Sequence, residues 1–262
     1  MSGNRIKVLS ANCQGLQNKQ KRIDVLSYFR DTDSNIICLQ DTHWIEKDLK
    51  HIKSFWNGDC FISGSKTNAR GVAILLKKDF EYQVISCQKD SEGNFINLIL
   101  KLSSITVSII TIYAPNKDNP SFFSKIQNLI QDSNCENTII CGDFNLVLDP
   151  HKDTNGYRHV NNPKARMEVL KMMNDLGLVD IYRQQHPNTV RYTWRKKSPS
   201  KQARLDFFLI SDTLLDIISN CKIKPAYRTA HSSIELEIKT HPFKMGKGIW
   251  KFNNSLSKTV II

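Results

Sequence analysis

Short apolar segments separated by turn residues recur along most of the chain. Continuous or alternating apolar residues predict β-strands at 6–11, 35–39, 71–76, 95–102, 105–113, 138–141 and 204–210. Apolar residues spaced three and four positions apart predict helices at 21–30, 122–130, 163–176 and 212–219. The predicted strands therefore outnumber the predicted helices.

The order of these elements indicates one α/β domain. The pair Ser103–Ser104 predicts a turn that makes an antiparallel hairpin of the strands on either side. Apolar and charged residues alternate over 234–239, which predicts a half-buried last strand. Hairpins mixed with helical connections predict two packed sheets with helices outside them, over residues 1–240. The Lys- and Gly-rich segment 241–262 is predicted to be a linker.

Composition narrows the class of protein. Of the 262 residues, 40% are hydrophobic and 24% are charged, which is ordinary for a globular protein and excludes a mostly disordered chain. No apolar run approaches the roughly 20 residues of a membrane span, and the first residues contain no apolar signal core. The seven cysteines are an odd number without a Cys-x-x-Cys pair, so we expect a reducing compartment without a disulfide framework or zinc site.

The net charge of the chain indicates which class of partner it favours. Lys and Arg number 37 against 25 Asp and Glu, a net charge of +12 that favours polyanions. From Arg183 to Arg204 the chain has seven basic residues and no acidic one. Taken alone, such a run is most simply a solvated loop. Tyr192 and Trp194 lie within it, however, and aromatic rings among cations are suited to stacking on nucleic-acid bases.

Several predicted strands end or begin at polar side chains that burial would not select. Each has an ordinary explanation when taken singly, such as a turn for Asn12, a helix cap for Asp41 or a surface position for His231. Taken together they indicate a site, because the ends of neighbouring strands meet at one rim. The residues are Asn12, Asp41, Tyr113, Asp143, Asn145, Asp206 and His231.

This set has the groups needed for metal-assisted hydrolysis of a phosphate ester. Asp41 can supply oxygen to a hard divalent cation, and Asp143 can orient a water and accept its proton. A protonated His231 can stabilise charge on the phosphate, with Asp206 behind it to orient the ring and raise its pKa. Further donors for that charge are Asn12, Tyr113 and Asn145.

Seven short motifs in this order resemble the endonuclease/exonuclease/phosphatase superfamily, which includes DNase I and the apurinic/apyrimidinic endonucleases. The most specific is Gly-Asp-Phe-Asn at 142–145, and the set covers nearly all of residues 5–240. The resemblance implies a DNase I-like, four-layer α/β sandwich. The segments are 11–15, 39–43, 113–115, 142–145, 192–194, 204–206 and 229–232.

Within that family the chain looks most like the endonuclease domain of LINE-type (non-long-terminal-repeat) retrotransposons. The motifs Leu-Gln-Asp-Thr-His-Trp at 39–44 and Tyr-Thr-Trp at 192–194 carry this likeness, together with 248–253 in the tail. The resemblance implies an enzyme that uses Mg²⁺, or Mn²⁺ in its place, to nick one strand of double-stranded DNA. The 3′-hydroxyl would prime a reverse transcriptase on the same polyprotein, in the nucleus. We expect the isolated domain to be monomeric, with no membrane contact and no small-molecule cofactor.

The resemblance also assigns roles to residues. Asp41 would be the metal ligand, Asp143 would orient the water, Asn12 and Asn145 would position metal or phosphate, and Tyr113 would contact phosphate. Asp206 and His231 would form a dyad. The basic loop would correspond to a hairpin that touches the DNA groove, with contacts from Tyr192, Thr193, Trp194, Arg195, Lys196, Lys197, Lys201 and Arg204.

Two positions depart from the family pattern. Asp41 stands where the family usually has Glu, and Ala230 stands where it has Asp directly before the histidine. The carboxylate missing at 230 would help to hold the metal. Three explanations are open: a deliberate inactivation, a decayed element copy, or an active enzyme that tolerates the loss. The intact surroundings of Ala230 favour the first. A repair-type nuclease acting on abasic sites and a DNA-binding module without catalysis are the alternative functions.

Overall fold

The computed structural model describes residues 5–65, 69–196 and 200–240. The predicted linker 241–262 therefore lies outside the described residues. The strands are β1 (Arg5–Asn12), β2 (Ile36–Gln40), β3 (Gly58–Ser63), β4 (Val72–Lys77), β5 (Gln83–Lys89), β6 (Phe95–Leu102), β7 (Ile105–Tyr113), β8 (Thr138–Asp143), β9 (Thr154–Asn155), β10 (Leu178–Asp180), β11 (Trp194–Arg195), β12 (Gln202–Ala203), β13 (Asp206–Ser211), β14 (Ile218–Ala226) and β15 (Ser232–Lys239). The helices are α1 (Lys19–Asp31), α2 (Leu49–Lys53), α3 (Pro120–Asp132), α4 (Pro150–Asp153), α5 (Pro163–Asp175) and α6 (Ile181–Gln185).

Twelve strands form two mixed sheets. The first has the order β14-β15-β1-β2-β4-β3, and the second has the order β10-β13-β8-β7-β6-β5. The pairs β1–β2 and β7–β8 are parallel, and the other neighbours are antiparallel. The predicted hairpin of β6 and β7 is present, with Leu102 opposite Ile105.

Helices cover the outer faces of this sandwich. The inner faces of the two sheets bury aliphatic side chains such as Val8 and Ile109 in one cluster. Phe123 of α3 and Val169 of α5 pack against the outside of the second sheet, while Leu26 of α1 packs against the first. Because each sheet buries both faces, its central strands are nearly continuous apolar runs. The predicted four-layer α/β sandwich is confirmed.

Two of the sequence-based predictions for the C-terminal region are wrong. No α-helix spans 212–219, because only a short 3-10 turn forms at Asp212–Leu214 and β14 begins at Ile218. The last strand is buried on both faces from Ser232 to Ile238, with Ile234, Leu236 and Ile238 in the cluster between the sheets. Its Glu235 is tolerated in the interior because Lys222 Nζ lies 3.0 Å from its carboxylate and Ser34 donates a hydrogen bond to it.

None of the helices within these three described ranges is long and apolar enough to cross a bilayer.

Candidate active site

The carboxyl ends of the parallel pairs β1–β2 and β7–β8 meet the amino ends of the antiparallel strands β13 and β15 at one rim of the sandwich. In the second sheet Tyr113 lies opposite Asp143, and Asp143 lies opposite Asp206, so three neighbouring strands present their polar residues side by side. Asn12 ends β1 of the first sheet, and His231 stands directly before β15. Residues far apart in the sequence therefore converge, because strand order and register bring their termini together.

Asp143, Asp206 and His231 form a buried cluster. His231 Nδ1 lies 3.0 Å from Asp206 Oδ2, a hydrogen-bond distance, and His231 Nε2 lies 3.9 Å from Asp143 Oδ2. All three side chains are almost completely buried. The ligand atoms lie within 4.8 Å of one another, which would also suit a cation. The hydrogen-bond contact of His231 Nδ1 with Asp206 fixes the orientation of the ring and leaves Nε2 directed towards Asp143.

Burial and mutual charge set the protonation of this cluster. Burial raises the pKa of Asp143 to about 7, and the Asp206 carboxylate acts in the same direction, whereas His231 opposes it. Burial alone would lower the pKa of His231, but the charge and hydrogen bond of Asp206, together with the charges of Asp143 and Asp41, raise it to about 9. The cluster therefore holds a protonated imidazole near neutral pH, beside a carboxyl group able to gain or lose a proton there.

Two amides hold Asp143 in place. Asn12 Nδ2 donates to Asp143 Oδ2 at 2.8 Å, and the Asn145 backbone N–H donates to Asp143 Oδ1 at 2.9 Å. Asn145 has the left-handed φ of 51° that asparagine tolerates, and its side-chain amide donates to the Ala114 carbonyl at 2.7 Å. Both carboxylate oxygens are thus directed by donors from different strand ends, which leaves little freedom for the side chain.

Asp41 stands apart from the buried cluster, on the wall of an open groove. The groove has a volume of about 830 Å³ and is also lined by Tyr113, Arg70 and Lys117. Asp41 Oδ1 lies 3.0 Å from His43 Nε2. Burial raises the pKa of Tyr113 well above its usual range, and the carboxylates of Asp41 and Asp143 add to this effect, so its hydroxyl is a neutral donor. Its lining residue Tyr113 lies opposite Asp143 in the strand register, so the groove borders the strand ends that carry the cluster.

The predicted DNA-contacting loop forms a hairpin beside the cluster. β11 pairs with β12, and β12 pairs with β9 in a small third sheet. Trp194 makes a β-bridge to His231, so the base of the hairpin is joined to the histidine segment. Tyr192 and Trp194 are half-buried, Lys197 lies outside the described residues, and the exposed basic residues of the hairpin are Arg195, Lys196 and Lys201.

Two of the residues predicted to contact DNA have buried side chains. Arg204 is buried, with Nε 2.8 Å from Asp153 Oδ1 and Nη2 2.6 Å from Asp180 Oδ2. Thr193 is also buried, and its hydroxyl accepts hydrogen bonds from the backbone N–H groups of Leu205 and Asp206. Each side chain satisfies buried polar groups and is withdrawn from solvent. They support the start of β13, where Asp206 stands.

Four further residues contact the site or its supports but were not among the predicted site residues. His43 contacts Asp41, Gln14 contacts the segment before His231, and Asp153 and Asp180 pair with Arg204. Gln14 and His43 lie inside two of the quoted motifs, so their position was a usable signal. No sequence motif pointed to Asp153 and Asp180, because their partner Arg204 is distant in the sequence.

Gly142 permits the close pairing that places Asp143. Its φ is +134°, and a Cβ at this position would approach the Ile112 carbonyl oxygen of β7 to 2.0 Å. We expect Gly142→Ala to lower the free energy of unfolding by more than about 1 kcal/mol, measured by urea denaturation. Gly177→Ala is the matched control, because Gly177 also has a positive φ but its nearest contact would be 3.3 Å. Equal losses in the two variants would contradict the clash.

The fold and the side-chain cluster together define a class of protein, in which two packed sheets carry an Asp-Asp-His group at their rim. A sequence model of the Endonuclease/Exonuclease/phosphatase family matches residues 9–220. The chain therefore belongs to this family.

Three relatives are similar over most of this chain. It is 28% identical to the Transposon TX1 uncharacterized 149 kDa protein of Xenopus laevis, over 96% of this chain and 19% of that protein. It is 24% identical to an exodeoxyribonuclease of Bacillus subtilis, over 89% of this chain and 99% of the relative. It is 24% identical to the DNA repair nuclease APEX1 of Danio rerio, over 84% and 77%. The chain thus spans about a fifth of the length of the transposon relative.

Two solved structures share the fold. The AP endonuclease LMAP from Leishmania major superposes with a TM-score of 0.77 at 16% identity, over 91% of this chain and 89% of that one. The 3′ phosphatase NExo from Neisseria, bound to a product DNA hairpin, superposes with a TM-score of 0.66 at 20% identity, over 89% and 99%. At these identities the likeness establishes the DNase I-like fold.

Proposed function

We propose that this chain is a Mg²⁺-dependent endonuclease domain that nicks one strand of double-stranded DNA. The buried Asp143–Asp206–His231 cluster, next to the groove residue Tyr113, carries the proposal. It combines a proton acceptor, an oriented imidazole and several fixed donors, which is the set that phosphodiester hydrolysis requires. The family membership and the nuclease names of two relatives support the same class of reaction.

In the proposed reaction Asp143 orients a water and takes its proton as the water oxygen bonds to phosphorus. The bond from phosphorus to the 3′-oxygen breaks, and that oxygen takes a proton from solvent water to leave a 3′-hydroxyl. His231 stabilises the added negative charge on the phosphate oxygens, and Asp206 holds the ring in position for this. The pKa of about 7 at Asp143 suits a group that must accept a proton near neutral pH.

Asn12, Asn145 and Tyr113 are proposed to position the phosphate. Asn12 and Asn145 are fixed by their hydrogen bonds around Asp143, and Tyr113 lines the groove beside Asp41. Because these donors are held before substrate arrives, they need little reorganisation as charge develops.

Asp41 is proposed to hold the divalent cation, with Asn12 positioning cation or phosphate. A carboxylate on the groove wall suits a hard cation, which prefers oxygen ligands. A bound Mg²⁺ would supply Lewis-acid stabilisation of charge on the phosphate. Position 230 lacks the carboxylate expected beside His231, so the donor set fits the cation but is one ligand short.

The biological setting is also a proposal. The similarity to a transposon protein supports a LINE-type retrotransposon endonuclease whose nick primes a reverse transcriptase on the same polyprotein, at chromosomal DNA in the nucleus. Arg195, Lys196 and Lys201 on the hairpin are exposed beside the cluster, where they can contact the phosphates of a duplex. We retain residues 1–240 as the proposed catalytic domain and 241–262 as the proposed connection to the rest of the polyprotein.

We expect Ala230→Asp to raise nicking of supercoiled plasmid at least tenfold in the presence of Mg²⁺, because the added carboxylate completes the oxygen ligands. The measurement compares both proteins on agarose gels, and EDTA is expected to abolish the activity. Ser232→Ala, which changes a neighbouring small side chain without adding charge, is the control. A variant that binds DNA but shows no EDTA-sensitive nicking would instead indicate a DNA-binding module without catalysis.

The same assay separates a repair function from the proposed one. The similarity to a DNA repair nuclease makes abasic DNA the relevant competing substrate. The proposed function predicts similar cleavage of intact duplexes and of duplexes with one abasic site. A strong preference for the abasic duplex would replace it with repair-type activity.

A further inference from the structure

Gln14 connects the Asp143 side of the buried cluster with the segment that carries His231. Its backbone is fixed in a left-handed conformation with φ 48°. Its N–H donates to Asn12 Oδ1 at 3.0 Å, and its carbonyl accepts a hydrogen bond from Lys21 Nζ at 2.9 Å. Asn12 is the residue whose amide holds Asp143. Gln14 is therefore anchored, through its main chain, to the Asp143 side of the cluster.

The side chain of Gln14 reaches the segment that carries His231. Its Oε1 accepts a hydrogen bond from the Ala230 N–H at 2.8 Å and another from the Thr229 hydroxyl at 3.1 Å. The Thr229 hydroxyl oxygen in turn accepts a hydrogen bond from the His231 N–H at 3.3 Å. The donors and acceptors of this chain are consistent, since the hydroxyl gives its one proton to Gln14 and uses its lone pair for His231.

The hairpin holds the opposite side of the same segment through main-chain groups. The Arg195 N–H donates to the Ala230 carbonyl at 3.3 Å, and the Ser232 N–H donates to the Thr193 carbonyl at 2.6 Å. Ala230 is thus hydrogen-bonded at both its N–H and its carbonyl, by two different parts of the fold. Loss of the Gln14 acceptor would free one side and let residues 229–231 shift relative to Asp143.

We propose that Gln14 is a positioning residue that sets His231 against Asp143 through its hydrogen bonds to Thr229 and Ala230. The inference rests on the proposed function for its catalytic consequence. His231 Nε2 lies 3.9 Å from Asp143 Oδ2, and small displacements of groups in such a site have large effects on rate. Gln14 itself needs no contact with the substrate for this role, so it acts on turnover rather than on DNA affinity.

The kinetic test uses the Ala230→Asp protein, in which the N–H at position 230 is retained. Gln14→Met keeps the length of the side chain and removes the acceptor, and it is expected to lower kcat about tenfold while KM for duplex DNA changes less than twofold. Gln88→Met, at an exposed position on β5, is the matched control and is expected to leave both constants unchanged. An unchanged kcat in Gln14→Met, or a loss confined to KM, would overturn the proposal.

A double-mutant cycle tests the route through Thr229. Thr229→Val removes the hydroxyl that links Gln14 to the His231 N–H. If the two residues act as one unit, Gln14→Met combined with Thr229→Val lowers kcat little more than Gln14→Met alone. Losses that simply multiply would show that the residues act independently, which contradicts the proposed connection.

Amide hydrogen exchange tests the geometry without any activity. In the chain with Ala230, Gln14→Met is expected to speed exchange of the residue 230 amide about tenfold, because its acceptor is gone. The amide of Ser232, which is bonded to the hairpin, is the internal control and should change less. Unaltered exchange at residue 230 would overturn the proposal even if the Ala230→Asp protein nicks DNA. If that protein does not nick, the proposed function fails, and exchange alone decides the role of Gln14.

Discussion

His231→Ala is expected to lower the nicking rate of the Ala230→Asp protein by at least about 10³-fold, the size of loss seen when one member of a catalytic triad is removed. The protonated ring lies between Asp206 and Asp143 and is almost completely buried, so no solvent group can take its place. The measurement is the initial rate of plasmid nicking at saturating Mg²⁺, with thermal unfolding recorded for each variant.

The other cluster residues sharpen this test. Asp143→Ala is expected to cause a loss of similar size, because it removes the proposed proton acceptor. Asp206→Asn retains a hydrogen-bond partner for the ring but removes the charge, so a smaller loss is expected. His51→Ala, which changes an exposed histidine on α2, is the matched control and should keep full activity. A His231→Ala variant with unchanged nicking would remove this residue from the mechanism.

Arg204→Met is expected to lower the free energy of unfolding by about 3–5 kcal/mol, since it leaves buried carboxylates without their cation. Asp153 keeps Arg183 as a second partner, with Nη2 2.7 Å from Oδ1, whereas Asp180 pairs with Arg204 alone among the ion pairs of the described residues. For a chain of this size the loss corresponds to a melting temperature lower by about 10 °C. Urea denaturation and calorimetry give both quantities.

A matched arginine and a compensating variant make this prediction specific. Arg30→Met removes an exposed partner of Asp31, and such surface pairs contribute less than about 1 kcal/mol. Adding Asp180→Asn to Arg204→Met is expected to recover most of the loss, because Asp153 keeps Arg183 and Asp180 then has no charge left without a partner. A fall of similar size in Arg204→Met and Arg30→Met would show that the buried network contributes little.

Much of the fold could be predicted because its strands carry a local signal. The segments 95–102 and 105–113 are strongly apolar with a short turn between them, and the structure pairs them as predicted. Pro163 and Gly177 bracket α5, where one starts the helix and the other follows its end with a positive φ. The sequence did not predict β14, because its residues follow neither the period of a strand nor that of a helix. Its conformation is determined by pairing with β15.

The candidate site was predictable in its residues but not in its arrangement. Polar side chains at strand ends indicated Asp143, Asp206 and His231, and the structure brings these three together. It places Asp41 outside that cluster, on the wall of the groove and beside His43, which was not among the predicted site residues. Such distances depend on strand order and register, which no local pattern encodes.

The sequence by itself determined the apolar segments that become strands, the polar residues at their ends and the excess of basic charge. Those properties follow from the side chains and their spacing. Only the tertiary structure decided which charged side chains are exposed to solvent. It exposes Lys196 and Lys201 but buries Arg204 and Glu235 against oppositely charged partners. The physical reason is that a charged group is buried only where distant residues supply its opposite charge and hydrogen bonds, and those neighbours exist only in the folded chain.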